Sequence, residues 1–360
     1  MSLPEAERLA RLRLARTDGV GPVTFRRLLA RFGSAARAIA SWRDLAGAPG
    51  PLAPAEVVQA EVDAAARVGA CHVVWGEPLY PPRLAELADP PPVLVLRGDA
   101  SLAIRPAVAI VGARNASAAG RALAGELARD LGQAGFVVVS GLARGIDAAA
   151  HQAALATGTV ACVAGGIDVP SPPEHAALHE AIGRQGLLVS EQPPGTEPQA
   201  RHFPRRNRLI AGLAQGVVVI EAAHGSGSLI TARLAAEAGR EVMAVPGHPR
   251  DPRARGGNAL LKSGATLVED AADVLAALAP FAAAGRPAAE PVTTSPDADP
   301  AGDPADARGR LLELLSATPV ATDELVRMSG LPTGHVAALL VDLELEGRIV
   351  RHAGGRVALA

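Results

Sequence analysis

Arginine is concentrated in one segment of the chain, around an isolated aromatic residue. Residues 201–208 (RHFPRRNR) hold four arginines around Phe203, and over residues 201–262 nine arginines and Lys262 face four acidic residues. Such a local positive field neutralises phosphates through counterion release, and a lone aromatic ring offers a stacking face to an unpaired base. This composition predicts an interface for single-stranded nucleic acid. The alternative is that Phe203 lies in the core and the arginines pair with carboxylates.

Loops of small residues follow several short apolar runs. Gly112 and Gly141 each begin such a loop, with Arg114 and Arg144 close behind, and residues 224–231 (HGSGSLIT) form a turn that opens a helix. Small residues at a helix N-terminus let backbone N–H groups reach an anion. No loop has the G-x-G-x-x-G or G-x-x-x-x-G-K-[ST] pattern, so we expect neither a dinucleotide cofactor nor ATP.

Four acidic residues fall close to the ends of the predicted strands: Asp147, Asp168, Glu191 and Glu221. Carboxylates that converge at one sheet edge can hold Mg²⁺, so a Rossmann-like phosphoribohydrolase acting on nucleotides is the alternative function. Nearby arginines can instead pair with these groups, and an acid beside a helix N-terminus is stabilised without any catalysis. We therefore expect structural roles, with no catalytic residue and no metal.

Three histidines have spacings that invite a metal or catalytic interpretation. His175 and His179 are four residues apart, but no third ligand accompanies them, which favours an exposed helical face. His151 follows Asp147 by one helical turn. We expect this pair to brace the start of its helix.

Short apolar runs alternate with helical segments from residue 108 onward. The alternation predicts an α/β fold with an extended Rossmann-like, doubly wound, mostly parallel sheet covered by helices on both faces. In such sheets ligands bind outside the carboxyl ends of the strands, which brings the loops described above to one edge. The proline-rich connector over residues 73–98 predicts one edge strand.

The N-terminal part, residues 1–72, has the pattern of a small helical unit. Residues 1–50 carry nine arginines against four acidic residues. Residues 18–22 (DGVGP) resemble the turn of a helix-hairpin-helix motif, in which backbone N–H groups approach phosphate. A tight turn between two helices without a binding role is an equal alternative.

Beyond the central domain, predicted over residues 73–282, the pattern changes twice. Residues 283–307 are rich in Ala, Pro, Gly and Asp and predict a disordered linker. Residues 308–360 have the element order of a winged helix-turn-helix domain. The long third helix of that domain carries acidic residues and no arginine, which predicts a partner-binding or auxiliary module instead of a reader of duplex sequence. These acidic residues are Asp342, Glu344 and Glu346.

Composition limits the class of protein. The 360 residues have a net charge of −2, so the global charge neither announces nor forbids a polyanionic partner. Two cysteines without paired spacing argue against a disulfide framework and favour the cytoplasm. No apolar run approaches the roughly 18 residues of a membrane span, so we expect neither an anchor nor a signal peptide.

Motifs over residues 80–270 resemble the DprA (Smf) family of DNA-processing proteins. They include VGARN, SGLARGIDAAAH, FPRRNRLIAGLA and HGSGSLITARLA, in the same order as in that family. The resemblance implies a protein that binds single-stranded DNA, protects incoming strands during natural transformation and loads the RecA recombinase on them as a homodimer. It also places Arg114 at a backbone phosphate and Phe203 beside the DNA pocket. Val169 and Pro170 stand where the family commonly has a Tyr-Pro pair.

The residue patterns and the resemblance together give one predicted DNA-binding set, without catalytic residue, metal or cofactor. It consists of Gly112, Arg114, Gly141, Arg144, Arg201, Phe203, Arg205, Arg206, Asn207, Arg208, Ser226, Gly227, Ser228 and Thr231.

Overall fold

The chain forms two compact units, Met1–Pro287 and Ala288–Ala360, each with a hydrophobic core of its own. The computed structural model describes residues 3–45, 50–284, 304–315, 320–346, 348–352 and 356–359. Most of the predicted linker lies outside these ranges. The predicted boundary at residue 72 falls inside the first unit and stays a prediction.

The first unit begins with helices, as the sequence predicts. They are α1 (Glu5–Ala15), α2 (Pro22–Phe32), α3 (Ala35–Ala40) and α4 (Ala55–Arg67). Phe25 and Trp42 are buried between them. The turn between α1 and α2 contains Gly19 at φ 78°, a left-handed conformation that glycine adopts without steric cost.

A nine-stranded sheet forms the centre of the first unit. Its strands are β1 (Ala70–Val74), β2 (Val93–Gly98), β3 (Ala107–Gly112), β4 (Val137–Ser140), β5 (Thr159–Cys162), β6 (Leu187–Ser190), β7 (Gly216–Ile220), β8 (Glu241–Ala244) and β9 (Thr266–Leu267). Their order across the sheet is β1-β2-β6-β5-β4-β3-β7-β8-β9. Strands β3 to β9 are parallel, whereas β1 and β2 pair antiparallel. The connector prediction of one edge strand was therefore incomplete, because β2 pairs on both sides and β1 is the edge.

Helices cover both faces of this sheet. They are α5 (Pro82–Ala85), α6 (Ala118–Gln133), α7 (Ile146–Ala154), α8 (Ala176–Gln185), α9 (His202–Leu213), α10 (Gly227–Glu237), α11 (Arg255–Lys262) and α12 (Ala271–Ala284). Alternate residues of β3 enter different cores: Val108 and Ile110 join α6, α7 and α12, while Ala109 and Val111 join α9 and α10. Two buried faces explain why the strands are apolar throughout, and the predicted doubly wound α/β class is confirmed.

The strand order reverses between β3 and β7, which pair in parallel although they are distant in the sequence. At such a switch point the loops after the two strands diverge to opposite faces and leave a crevice at the carboxyl edge. The fold thus predicts a ligand site between the loop after β3 and the loop after β7.

The second unit has the element order of a winged helix-turn-helix. Its elements are α13 (Pro304–Glu313), β10 (Val320–Ala321), α14 (Thr322–Ser329), α15 (Thr333–Leu345), β11 (Ile349–His352) and β12 (Arg356–Leu359). Leu311, Leu325, Leu340 and Val357 are buried in its core. Residues 353–355, between β11 and β12, lie outside the described residues. Across both units, no described helix has the length and apolar character needed to cross a membrane.

Candidate nucleic-acid interface

A cleft of about 480 Å³ lies at the switch point between β3 and β7. We call it the first cleft. It brings together nine members of the predicted DNA-binding set: Gly112, Arg114, Phe203, Arg206, Asn207, Ser226, Gly227, Ser228 and Thr231. These residues come from the loops after β3 and β7 and from the first turns of α9 and α10, so the sheet topology itself assembles the cleft.

The loop after β3 approaches the sheet so closely that only glycine fits at its start. A Cβ atom on Gly112 would overlap the carbonyl oxygen of Ile220 and lie 2.6 Å from Cγ1 of Ile146. At the end of the loop, Ser117 caps α6 by accepting a hydrogen bond from the N–H of Gly120 at 2.9 Å. The loop is therefore fixed at both ends, with Arg114 exposed between them.

Phe203 lies at the start of α9, half-buried at the wall of the cleft. The guanidinium carbon of Arg114 lies over its ring at 5.5 Å from the centroid, and that of Arg206 at 5.8 Å. Cation–π contacts of this kind hold a charged group beside an aromatic face. The three side chains thus present positive charge and a π surface at one place.

The N-terminus of α10 forms another wall. Ser226 caps the helix, and its hydroxyl lies 2.8 Å from that of Ser228. Asn207 Nδ2 donates to the carbonyl of Gly227 at 3.2 Å, which ties α9 to the start of α10. The Gly/Ser turn therefore has the helix-start geometry that the sequence predicts for an anion cradle.

Arg206 lies beneath the cleft and is 6% exposed. Its Nη1 donates to the carbonyls of Gly141 and Cys162, the latter at 3.1 Å. Burial raises the pKa of the Asp147 carboxyl, and the charge of Arg206 together with N–H donors from Ala143 and Gly141 opposes that rise. Arg206 and Asp147 thus fix the loop after β4 from two sides.

His151 does not pair with Asp147, so the expected bracing pair is wrong. Its Nε2 accepts from the N–H of Leu142 at 3.3 Å, and its Nδ1 lies 2.7 Å from Oγ1 of Thr159. Burial lowers the pKa of His151 to about 3, with a smaller contribution from Arg206. His151 and Asp147 therefore brace the same loop through separate backbone contacts, His151 as the neutral imidazole.

Five members of the predicted set lie away from the first cleft. Gly141 is buried behind it, and Arg144 pairs with Glu174 at the surface. Arg201 is exposed just before α9. Arg205 and Arg208 line a different cleft, described below.

The strand-end carboxylates do not converge on one point. Glu221 accepts from the N–H of Ser117 at 2.8 Å and from its hydroxyl, and Asp168 accepts from the N–H of Gly195 at 2.7 Å. Glu191 pairs with Arg208 at 2.5 Å. Among the described residues, no group of three acidic, histidine or cysteine side chains is arranged to hold a metal ion.

The exposed helical face expected for His175 and His179 is wrong for His179, which is 2% exposed. Burial lowers its pKa, with Arg97 contributing in the same direction. His175 is half-buried, and its Nδ1 donates to the carbonyl of Leu142 at 3.0 Å. The helix α8 therefore packs His179 inward, and His175, which lies in the turn just before α8, contacts the loop after β4.

Three further polar residues line the first cleft and are not in the predicted set: Asn115, His224 and Arg253. Asn115 and His224 lie in loops that the sequence does predict to reach the site, so their position was a usable signal. Arg253 comes from the distant segment after β8 and is held by Asp251 at 2.9 Å. Its convergence on the cleft follows only from the pairing of β8 with β7.

Family models match three parts of the chain. The model for DNA recombination-mediator protein A matches residues 72–279, the DprA-like N-terminal HHH domain matches residues 5–64, and the DprA winged helix domain matches residues 295–355.

Individual relatives agree with these matches. DNA processing protein DprA of Bacillus subtilis is 43% identical over 54% of this chain and 67% of its own length, and protein Smf of Escherichia coli is 39% identical over 78% and 75%. The structure of DprA from Streptococcus pneumoniae superposes with a TM-score of 0.64 at 32% identity, covering 77% of this chain and 98% of that one. The structure of DNA processing protein A from Helicobacter pylori, solved to study its single-stranded DNA binding mode, superposes with a TM-score of 0.54 at 29% identity. It covers 58% of this chain and 96% of that one. The chain therefore belongs to the DprA (Smf) family of DNA recombination mediators.

Proposed function

We propose that this chain binds single-stranded DNA in the first cleft and acts there as a recombination mediator without catalysis of its own. The observation that carries the proposal is the grouping of Arg114, Phe203 and the N-terminus of α10 around one open crevice at the switch point. The single-stranded DNA binding mode of the Helicobacter pylori relative supports the choice of ligand.

Arg114 is the residue best suited to hold a backbone phosphate. It is exposed, and within residues 3–45 and 50–284 no carboxylate pairs with it. The hydroxyls of Ser226 and Ser228, with the backbone at the start of α10, add neutral donors that suit an anion. Because none of these groups reads a base edge, sequence specificity should be low.

Phe203 supplies the stacking surface. Its ring is already held by two guanidinium groups, so the aromatic face is fixed before a base arrives.

No observation favours the nucleotide hydrolase that the sequence left open. Catalysis through Mg²⁺ needs carboxylates that are free to ligate. The strand-end carboxylates instead accept hydrogen bonds from the chain itself. Those of Asp147, Asp168 and Glu221 accept from backbone N–H groups, and that of Glu191 accepts from the guanidinium group of Arg208.

Binding of a labelled oligothymidylate at several salt concentrations tests the proposal. The wild type should bind the oligothymidylate with an affinity that falls steeply as salt is raised. Duplex competitor should not displace the bound strand. Arg114→Ala should weaken binding roughly tenfold and lower the salt slope by about 0.7, the contribution of one phosphate contact. The matched control is Arg129→Ala, an exposed arginine on α6 outside the cleft. Absence of single-strand preference, or turnover of a nucleoside monophosphate, would overturn the proposal.

We also propose that the chain loads RecA on the bound strand, works as a homodimer and resides in the cytoplasm. Two copies would double the contacts to one strand and raise the affinity through effective concentration. The two cysteines, Cys71 and Cys162, are free thiols, which suits a reducing compartment. Sedimentation at several concentrations tests the dimer, and RecA filament formation on single strands with and without the protein tests the loading.

A further inference from the structure

A second cleft, of about 530 Å³, lies on the other side of Pro204 from the first. Its walls include Val20 and Gly21 of the turn before α2, Pro22 at the start of α2, and Arg205 of α9. Pro204 lines both clefts. The second cleft therefore joins the N-terminal helices to the segment that carries Phe203, within one compact unit.

Helix geometry explains why neighbouring residues of α9 serve different clefts. Successive residues of an α-helix are rotated by about 100°, so Phe203 and Arg205 point about 200° apart around the axis. Phe203 accordingly lines the first cleft, and Arg205 lines the second. Pro204 is the ridge between them.

Two of the three arginines in the second cleft are committed to the fold. Arg16 binds both carboxylate oxygens of Glu61, at 2.8 to 3.1 Å, and the carbonyl of Glu191 at 3.1 Å. Arg208 pairs with Glu191 at 2.5 Å and with Asp89 at 3.2 Å. These contacts leave Arg16 and Arg208 little capacity for a further anion.

Arg205 differs from both. Its side chain is exposed, and no carboxylate in residues 3–45 or 50–284 lies within ion-pair distance of its guanidinium group. An arginine fork without an ion-pair partner matches a phosphate, and the proline and valine side chains of the cleft offer an apolar surface to a sugar or base. The cleft is not positive as a whole, because Glu61, Glu191 and Asp89 balance Arg16, Arg205 and Arg208 in number. Arg205 is therefore the arginine of this cleft whose hydrogen-bond donors are open to a phosphate.

We propose that the second cleft is a further subsite for the single strand, which passes from the first cleft over Pro204 and places a phosphate on Arg205 against the turn at residues 20–22. This inference rests on the proposed function. It gives the N-terminal helices a role in the length of strand that is bound. Arg205 then contacts a phosphate only in strands long enough to span both clefts.

Oligothymidylates of two lengths test the inference, about 5 nucleotides to fill the first cleft and about 15 to span both. With the full chain, Arg205→Ala should weaken binding of the long strand roughly tenfold and lower its salt slope by about 0.7, while leaving the short strand unchanged. Arg205→Lys, which keeps the charge, should restore the slope. The control Arg129→Ala should change neither length.

Hydrogen exchange supplies an independent readout on the unmodified chain. The long strand should protect backbone amides of residues 19–25, and the short strand should not. Equal loss of both strands in Arg205→Ala, or no loss of either, would overturn the second subsite. Failure of the proposed function itself looks different, because Arg114→Ala would then leave binding of both lengths at the wild-type level.

Discussion

Arg206 shows how a residue chosen for its charge acquires a structural role. Its guanidinium group is buried, donates to two carbonyls and faces the charge of Asp147. The other arginines of the same short segment differ from it. Arg201 and Arg205 are exposed, whereas Arg208 forms an ion pair with Glu191. Composition counts these arginines as one group, but the helix period places them in different surroundings with different roles.

Replacing Arg206 by Met should destabilise the fold. The change leaves the buried Asp147 without its compensating charge and the carbonyl of Gly141 without its donor. Losses of this kind cost about 3 kcal/mol in free energy of unfolding, measured by urea denaturation. Arg201→Met, at an exposed position just before the same helix, should change it by less than about 0.5 kcal/mol. Equal stability of the two variants would contradict this assignment.

His151 should make stability depend on pH. Burial lowers its pKa from 6.5 to about 3, so between these values the unfolded chain takes up a proton that the folded chain excludes. The contribution of His151 to the free energy of unfolding therefore keeps its full value above pH 6.5 and decreases as the pH falls toward 3. Between about pH 7.5 and about pH 5.5 the loss is about 1.4 kcal/mol.

Urea denaturation at these two pH values measures that loss. The variant His151→Gln should show a pH dependence smaller by the same amount. The exposed His248 provides the control, since His248→Gln should keep the wild-type dependence. An unchanged pH dependence in His151→Gln would show that His151 is not the group responsible.

At the scale of elements, the first cleft depends on how closely the β3 loop meets β7. Gly112→Ala should force these elements apart, because its Cβ would overlap the Ile220 carbonyl and crowd Ile146. We expect a loss of about 3 kcal/mol, with weaker oligothymidylate binding as the cleft deforms. The control is Gly227→Ala in the same cleft, where a Cβ meets nothing within 4 Å. Its free energy of unfolding should be unchanged or slightly higher, since alanine is the better helix former.

The elements also show what a sequence can and cannot predict here. Apolar runs gave the parallel strands, and the Gly/Ser turn gave the start of α10, because both depend on local pattern. The inward position of His179 and the arrival of Arg253 at the cleft depend on how distant elements pack. Helix periodicity could have predicted that the arginines of α9 point in different directions, but only once the first residue of the helix was known.

At the scale of the whole molecule, all residues assigned to the two clefts lie in the unit Met1–Pro287. The other unit exposes acidic side chains on α15, where a winged helix-turn-helix that reads DNA presents its recognition helix. Asp342 and Glu346 would repel phosphate, although Arg308 partly compensates Glu346. These acidic side chains suit binding of a protein partner or an auxiliary role better than binding of a DNA duplex.

Removing residues 288–360 should therefore leave oligothymidylate affinity and salt slope unchanged. The remaining chain keeps both clefts and its own cores, so it has what folding and strand binding require. The isolated second unit, which has a core of its own around Leu325 and Leu340, should not shift a DNA duplex at moderate salt. A truncated chain that folds, as shown by cooperative unfolding, but binds the strand weakly would place part of the interface in the second unit. A duplex shift by the isolated unit would show that its recognition helix overcomes its own negative charge.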